Sequence, residues 1–174
     1  MDEKRQPETR SLSAVALADG KKLDRYYVGL GLKRAQHELR LAINAELEAL
    51  GTNISHVNVL REIKQHPGVS SADLARLAFL TAQTLGQQVI QMQERGLVER
   101  RAGGGRKIRH YLTVSGEKLL AAAMEKVREI DTQVLSDFSD DELASLLDTF
   151  QTIERRAAAV RARAKRFAPV VVEP

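Results

Sequence analysis

The sequence predicts a mainly α-helical fold carrying one small β-hairpin. Three observations lead there. Apolar residues recur at steps of three and four along most of the chain, which is the spacing of a helical face. That period gives way to a strand-like pattern only between Val98 and Val114, around Gly103-Gly104-Gly105. Aromatic residues are 4% of the 174 and Trp is absent, so the core must be built from Leu, Val, Ile and Ala, which suit packed helices.

Residues 1–20 are polar, mixed in charge and broken by Pro7 and Gly20, and read as a flexible tail in which Leu12 to Ala18 could form a short helix. A long helix is expected over 23–50, because Leu32, Ala35, Leu39, Ala42, Ile43, Leu47 and Leu50 share one face, with Gly51 as its stop. Gly29 and Gly31 oppose it, each costing roughly 1 kcal/mol against Ala inside a helix. Either the helix starts later or these glycines admit another backbone. Ser55 to His66 forms a second helix with Val57, Leu60 and Ile63 inward, ended by His66-Pro67-Gly68. A short third helix opens at Ser70 or Ser71, where serine can cap it, and closes near Ala78 to Leu80. A fourth runs from Thr81 to Arg95 and is closed by Gly96. Val98 to Arg101 and Arg109 to Val114 are the hairpin strands, the second favoured by Tyr111 and Thr113. Ser115-Gly116-Glu117 opens a long helix to about Phe138. Ser139 with Glu142 three residues on is a capping box for a last helix through Arg163, and two prolines end the chain's helical pattern after Phe167.

Composition narrows the function. With no cysteine, disulfides, thiolate metal sites and thiol redox sensing are excluded. His37, His56, His66 and His110 show no metal-ligand spacing, so neither a metal nor a cofactor is expected. No run of about 18 apolar residues suggests a membrane span, and the first ten residues lack the apolar stretch of a secretory signal. A cytoplasmic protein is expected. No Ser-His-Asp or Cys-His set can be assembled, and paired carboxylates occur only at helix caps, so the chain does not read as an enzyme.

The order of helix, short helix, turn, helix and basic hairpin has a physical use. In a helix-turn-helix the second helix of the motif enters the major groove of DNA. On the fourth helix Leu85, Val89 and Met92 mark the buried side. Gln83, Gln87 and Glu94 lie opposite, flanked by Thr84 and Gln91. Gln can pair with adenine through two hydrogen bonds, and Thr can meet a thymine methyl or a phosphate. The net charge of +4 says less than where the charge sits: Arg95, Arg100, Arg101, Arg106, Lys107 and Arg109 crowd the hairpin, with Glu99 the one acid among them. A glycine-rich tip lets Arg106 and Lys107 adapt to a phosphate backbone or a narrow minor groove. It is not a P-loop, since no Gly-Lys-Ser/Thr follows at the required spacing. The candidate DNA-contacting set is Ser71, Thr81, Gln83, Thr84, Gln87, Arg106, Lys107 and Arg109.

Over roughly residues 25–163 the sequence resembles the multiple antibiotic resistance regulator (MarR) family. The resemblance is carried by Ser71-Ala72-Asp73-Leu74-Ala75, by Arg95-Gly96-Leu97-Val98 turning into the hairpin, and by Leu112-Thr113 with Gly116 turning out of it. It implies a winged helix-turn-helix in a dimer whose first and last helices intertwine, binding a near-palindromic operator in double-stranded DNA as a repressor. The segments become a tail (1–20), a dimerisation helix (21–52), a winged DNA-binding domain (53–114), C-terminal dimerisation helices (115–166) and a tail (167–174). One departure stands out. The family's wing usually carries an acid two residues before an arginine; Arg106 matches the arginine, and the acid position is Gly104.

The apolar stripes argue for the homodimer independently. Leu143, Leu146, Leu147, Phe150 and Ile153 form more apolar surface on the last helix than one winged helix can cover, and a twofold protein matches a twofold site. The resemblance further implies a small aromatic or phenolic effector bound between dimer helices and wing. His37, Arg40, Asn44 and His56 are its candidate contacts, with ordinary surface roles as the alternative reading. The contrasting function is a helical dimeric interaction protein that has kept this fold and lost specific DNA binding.

Overall fold

The computed structural model describes residues 24–103 and 108–166, with backbone only for 164–166. The expected tails, the short helix at 12–18, and Arg106 and Lys107 lie outside the described residues. In chain order the elements are α1 (Arg25–Leu47), a 3-10 turn (Glu48–Leu50), α2 (Ile54–Gln65), β1 (Val69–Ser70), α3 (Ser71–Leu77), α4 (Ala82–Glu94), β2 (Val98–Ala102), β3 (Ile108–Leu112), α5 (Val114–Val134) and α6 (Asp140–Arg166). The chain divides into two compact units between Asp131 and Thr132.

In the first unit, Asp24 starts α1 by accepting from the Tyr26 backbone N–H at 2.9 Å. Both disputed glycines lie within the helix, and nothing approaches within 4 Å of where a Gly29 Cβ would sit. Thus the helix neither starts after them nor uses Gly29 for a close approach within this chain. It ends at Leu47 rather than 50: its last turn tightens, and Gly51, at φ 63°, reverses the chain. Asn53 caps α2 through the His56 N–H at 3.0 Å, while the Ile54 N–H donates to Asn44 Oδ1 on α1 at 2.9 Å.

The core sits where α1, α2, α3, α4 and α5 meet the sheet. Leu47, Val57, Leu60, Leu74 and Met92 are fully buried, joined by Ile63, Leu85, Val98 and Leu120. Truncating one of these leucines to Ala costs about 2–5 kcal/mol, so this cluster fixes the positions of the elements that carry function.

The sheet holds three antiparallel strands in the order β1-β3-β2. Its hairpin was expected; β1 was not. Val69 and Ser70 pair with His110 and Arg109, while β2 pairs with β3 from Val98↔Leu112 to Ala102↔Ile108. The second strand ends at Leu112 rather than Val114 because Thr113 already turns the chain. Its hydroxyl accepts from the Gly116 N–H at 3.0 Å, which starts α5 at Val114, one residue earlier than expected.

α5 stops at Val134, four residues short of expectation, in turns closed by Ser136 N–H to Gln133 O and Phe138 N–H to Leu135 O. In the second unit the Ser139–Glu142 capping box forms as read. The Ser139 N–H donates to Glu142 Oε2 at 2.9 Å, and the Glu142 N–H to Ser139 Oγ at 3.4 Å. The Ser139 N–H, and then its hydroxyl donating to the same Oε2 at 2.7 Å, hold the Glu142 carboxyl below the usual carboxylate range. α6 then continues to Arg166, beyond the expected Arg163, and Leu147, Phe150 and Ile153 are exposed along it.

Candidate nucleic-acid interface

α3, the turn after it and α4 form a helix-turn-helix whose ends are set by side-chain caps. Ser70 Oγ accepts from the Asp73 N–H at 3.2 Å and donates to Asp73 Oδ2 at 2.7 Å. That hydroxyl, more than the neighbouring Arg76, keeps the Asp73 carboxyl below its ordinary pKa. The turn closes with Leu80 N–H to Ala75 O at 2.8 Å, and Phe79 adopts a left-handed φ of 55° to make it. Thr81 is the N-cap of α4, accepting from the Thr84 N–H at 3.1 Å, with the two threonine hydroxyls 2.8 Å apart. It precedes the helix rather than opening it.

α4 buries Leu85, Val89 and Met92, while Gln83, Gln87, Gln91 and Glu94 are exposed. Gln88 Nε2 donates to Ser55 Oγ at 2.7 Å, which ties α4 to α2. The helix therefore has a fixed inner side and a polar outer side able to offer amide donors and acceptors.

The hairpin is joined to this motif at two places. At its exit, Gly96 (φ 68°) turns α4 into β2, and Thr113 Oγ1 donates to the Gly96 carbonyl at 2.6 Å. A Cβ on Gly116 would run into the Leu97 carbonyl oxygen. Two of the three stretches that carry the sequence resemblance, the turns into and out of the hairpin, thus meet in space. At the other place, Gly68 (φ 79°) donates its N–H to the His110 carbonyl at 2.9 Å, and its own carbonyl accepts from Arg109 Nη1 at 2.9 Å. Tyr111 covers this glycine so closely that a Cβ there would lie 2.8 Å from the phenol oxygen.

His110 is 1% exposed. Its Nε2 lies 2.9 Å from Ser71 Oγ, and its buried Nδ1 has no partner among the described residues. Burial, and secondarily Arg100, push its pKa down from the ordinary imidazole value, which favours the neutral ring. A cleft of about 350 Å³ opens beside it, lined by Ser71, Ala72, Ala82, Leu85, Gly86, Val89, Ile90, Arg100 and His110. Its walls are apolar apart from Ser71, Arg100 and His110.

Of the candidate DNA contacts, Ser71, Thr81, Gln83, Thr84 and Gln87 fall on the helix-turn-helix. Ser71 already bonds His110, and Arg109 is half-buried against Gly68. Of the candidate effector contacts, His37 and Arg40 are exposed neighbours on α1, with Nδ1 and Nη2 3.4 Å apart. Asn44 is engaged by Ile54. His56, on α2, is partly buried with its pKa lowered by that burial and then by Arg95. None of the four lines the cleft. Neither the buried His110 nor the part played by Gly68 was legible in the sequence, since each depends on a partner 39 or 41 residues away.

Known proteins are similar to this chain in sequence and in fold. A family model described as MarR family matches residues 50–108. An HTH-type transcriptional repressor of Mycobacterium tuberculosis (strain H37Rv) is 35% identical over 111 residues, covering 63% of this chain and 80% of that protein. A crystal structure of a M. tuberculosis MarR family protein in complex with p-aminosalicylic acid aligns at 30% identity with a TM-score of 0.61, over 72% of this chain and 97% of that one. Another from that organism, in complex with DNA, aligns at 28% identity with a TM-score of 0.60, over 72% and 95%.

Proposed function

The chain belongs to the MarR family, and from that premise we propose that it is a homodimeric repressor that binds a near-palindromic operator through α4 and the hairpin wing. The carrying observation is the two-sided α4: Leu85, Val89 and Met92 anchor it while Gln83 and Gln87 are exposed on its outer side. Gln83, Thr84 and Gln87 read base edges, and Ser71 and Thr81 meet the backbone. Arg106 and Lys107 supply the wing's cations. The DNA-bound M. tuberculosis relative supports this reading. The exposed stripe of Leu147, Phe150 and Ile153 on α6, with Leu32 on α1, supports the homodimer. No described helix is long and apolar enough to cross a membrane, and the work of a repressor places it in the cytoplasm.

Release by a small aromatic or phenolic effector belongs to the same reading, since a relative is crystallised with p-aminosalicylic acid. The cleft between the helix-turn-helix and the sheet suits such a molecule better than the α1–α2 residues do. It has apolar walls with Arg100 and His110 among them, whereas Asn44 is already engaged. An effector acts there only if it prefers the state that does not bind DNA.

The test is selection of bound duplexes from random DNA, followed by Gln87→Ala. The wild type should recover a twofold motif, and the variant should relax preference at one position of each half-site, at a cost of about 1–3 kcal/mol per lost bidentate contact. Failure of a dimeric sample to enrich any motif favours the interaction-protein alternative.

A further inference from the structure

Glu99, the acid within the wing's basic cluster, lies on the same side of β2 as Arg101, because residues two apart along a strand share a face. Arg101 Nε and Nη2 both donate to Glu99 Oε2, at 3.0 and 2.7 Å. The Arg101 guanidinium also sits 4.5 Å from the centre of the Tyr111 ring, and Tyr111 is the cross-strand partner of Glu99. Tyr111 in turn covers Gly68, the turn that Arg109 and the His110 carbonyl hold. One row of side chains therefore runs from the outer strand of the wing to its root on the helix-turn-helix.

This row is ill suited to a stabilising role. The Glu99 and Arg101 side chains are 49% and 62% exposed, and pairs so open to water add little to folding. Its position suits another task. Arg101 is the last residue of β2 but one, so fixing its guanidinium fixes the direction in which the strand leaves toward the wing tip. By the resemblance to the MarR family, the acid expected two residues before Arg106 is Gly104 here.

We propose that Glu99 and Arg101 are positioning residues for DNA binding: Glu99 orients Arg101 on Tyr111, and this brace sets the pitch of the wing in place of the missing tip acid. The proposal rests on the DNA-binding reading above. It makes an acid favourable to binding a polyanion, opposite in sign to what charge alone dictates.

The experiment measures affinity of the full chain for a fluorescein-labelled duplex recovered by the wild type in selection, across a salt series. Thermal melts of each variant run in parallel. Glu99→Gln removes a negative charge; by charge alone it tightens binding, whereas the brace predicts roughly fivefold weaker binding. Arg101→Lys keeps the charge but loses the two-pronged bond and the planar stack, and should weaken binding similarly while the melting temperature stays near wild type. Tighter binding by Glu99→Gln, or unchanged affinity in Arg101→Lys, overturns the brace while leaving the DNA-binding reading intact. A wild type that binds no duplex overturns both.

Discussion

Gly116→Ala sets two well-defined effects against each other. Gly116 is the third residue of α5, and Ala is the better helix former by about 1 kcal/mol in a helix interior, less in a first turn. Against this, the new methyl would run into the Leu97 carbonyl oxygen and lie 3.0 Å from the Leu97 carbonyl carbon. That carbonyl is backbone and cannot swing aside. It accepts from the Thr113 N–H at 3.1 Å, and Thr113 is itself bonded to Gly96 O at 2.6 Å. Relief therefore requires α5 and the start of β2 to separate, an overpacking cost of about 1–3 kcal/mol or more. The clash wins, and the variant should lose roughly 2 kcal/mol. Gly86→Ala is the matched control, since it lies inside α4 with nothing within 4 Å of the new Cβ. It should gain about 0.5–1 kcal/mol. Urea unfolding at one fixed protein concentration reads both as shifts in midpoint at constant slope. If Gly116→Ala is as stable as the wild type, the close packing of wing exit on α5 is wrong.

Two further outcomes follow from buried polar groups. His56 and His110 have pKa values lowered from 6.5, chiefly by burial, so the unfolded chain takes up protons there that the folded chain refuses. Their share of stability is complete above about pH 6.5 and is lost as pH falls from there toward the lowered folded values. The melting temperature should drop between pH 7.5 and 5.5, and less so in His110→Gln; a flat or rising profile for the wild type contradicts the burial. Asn44→Ala leaves the Ile54 N–H without its acceptor at the start of α2, and chemical denaturation should register a loss of about 1 kcal/mol. An unchanged midpoint would return Asn44 to the ordinary surface residues.

What the sequence revealed was what neighbouring residues decide. The helices, the stop at Gly96 and the Ser139–Glu142 box all involve residues within four positions of each other, whereas Thr81 read as the first residue of α4 and is its cap. Periodicity likewise placed Leu85, Val89 and Met92 inward. β1 escaped because two residues leave no period, and Val69 and Ser70 are strand only through pairing with His110 and Arg109. Arg109 looked like one more wing cation, and its bond to the Gly68 carbonyl spans 41 residues. Ser71 read as a helix cap or DNA contact and Asn44 as an effector contact; the bonds they also make, to His110 and to Ile54, span 39 and 10 residues and leave no local pattern. The resemblance motifs were legible as letters, but their reason was not. Gly96 and Gly116 belong together in space because Gly116 packs on the Leu97 carbonyl, directly after Gly96.

A salt titration separates sequence-selective binding of duplex DNA by the dimer from attachment to any polyanion. The full chain is titrated against its selected duplex and against a scrambled one between 50 and 300 mM salt, roughly the range over which phosphate contacts are resolved. The selected duplex should bind tighter by about a thousandfold or more, with log affinity falling linearly in log salt by about 0.9 per phosphate neutralised. Equal affinity for both duplexes, or no binding at the lowest salt by a folded dimer, would contradict sequence-selective binding.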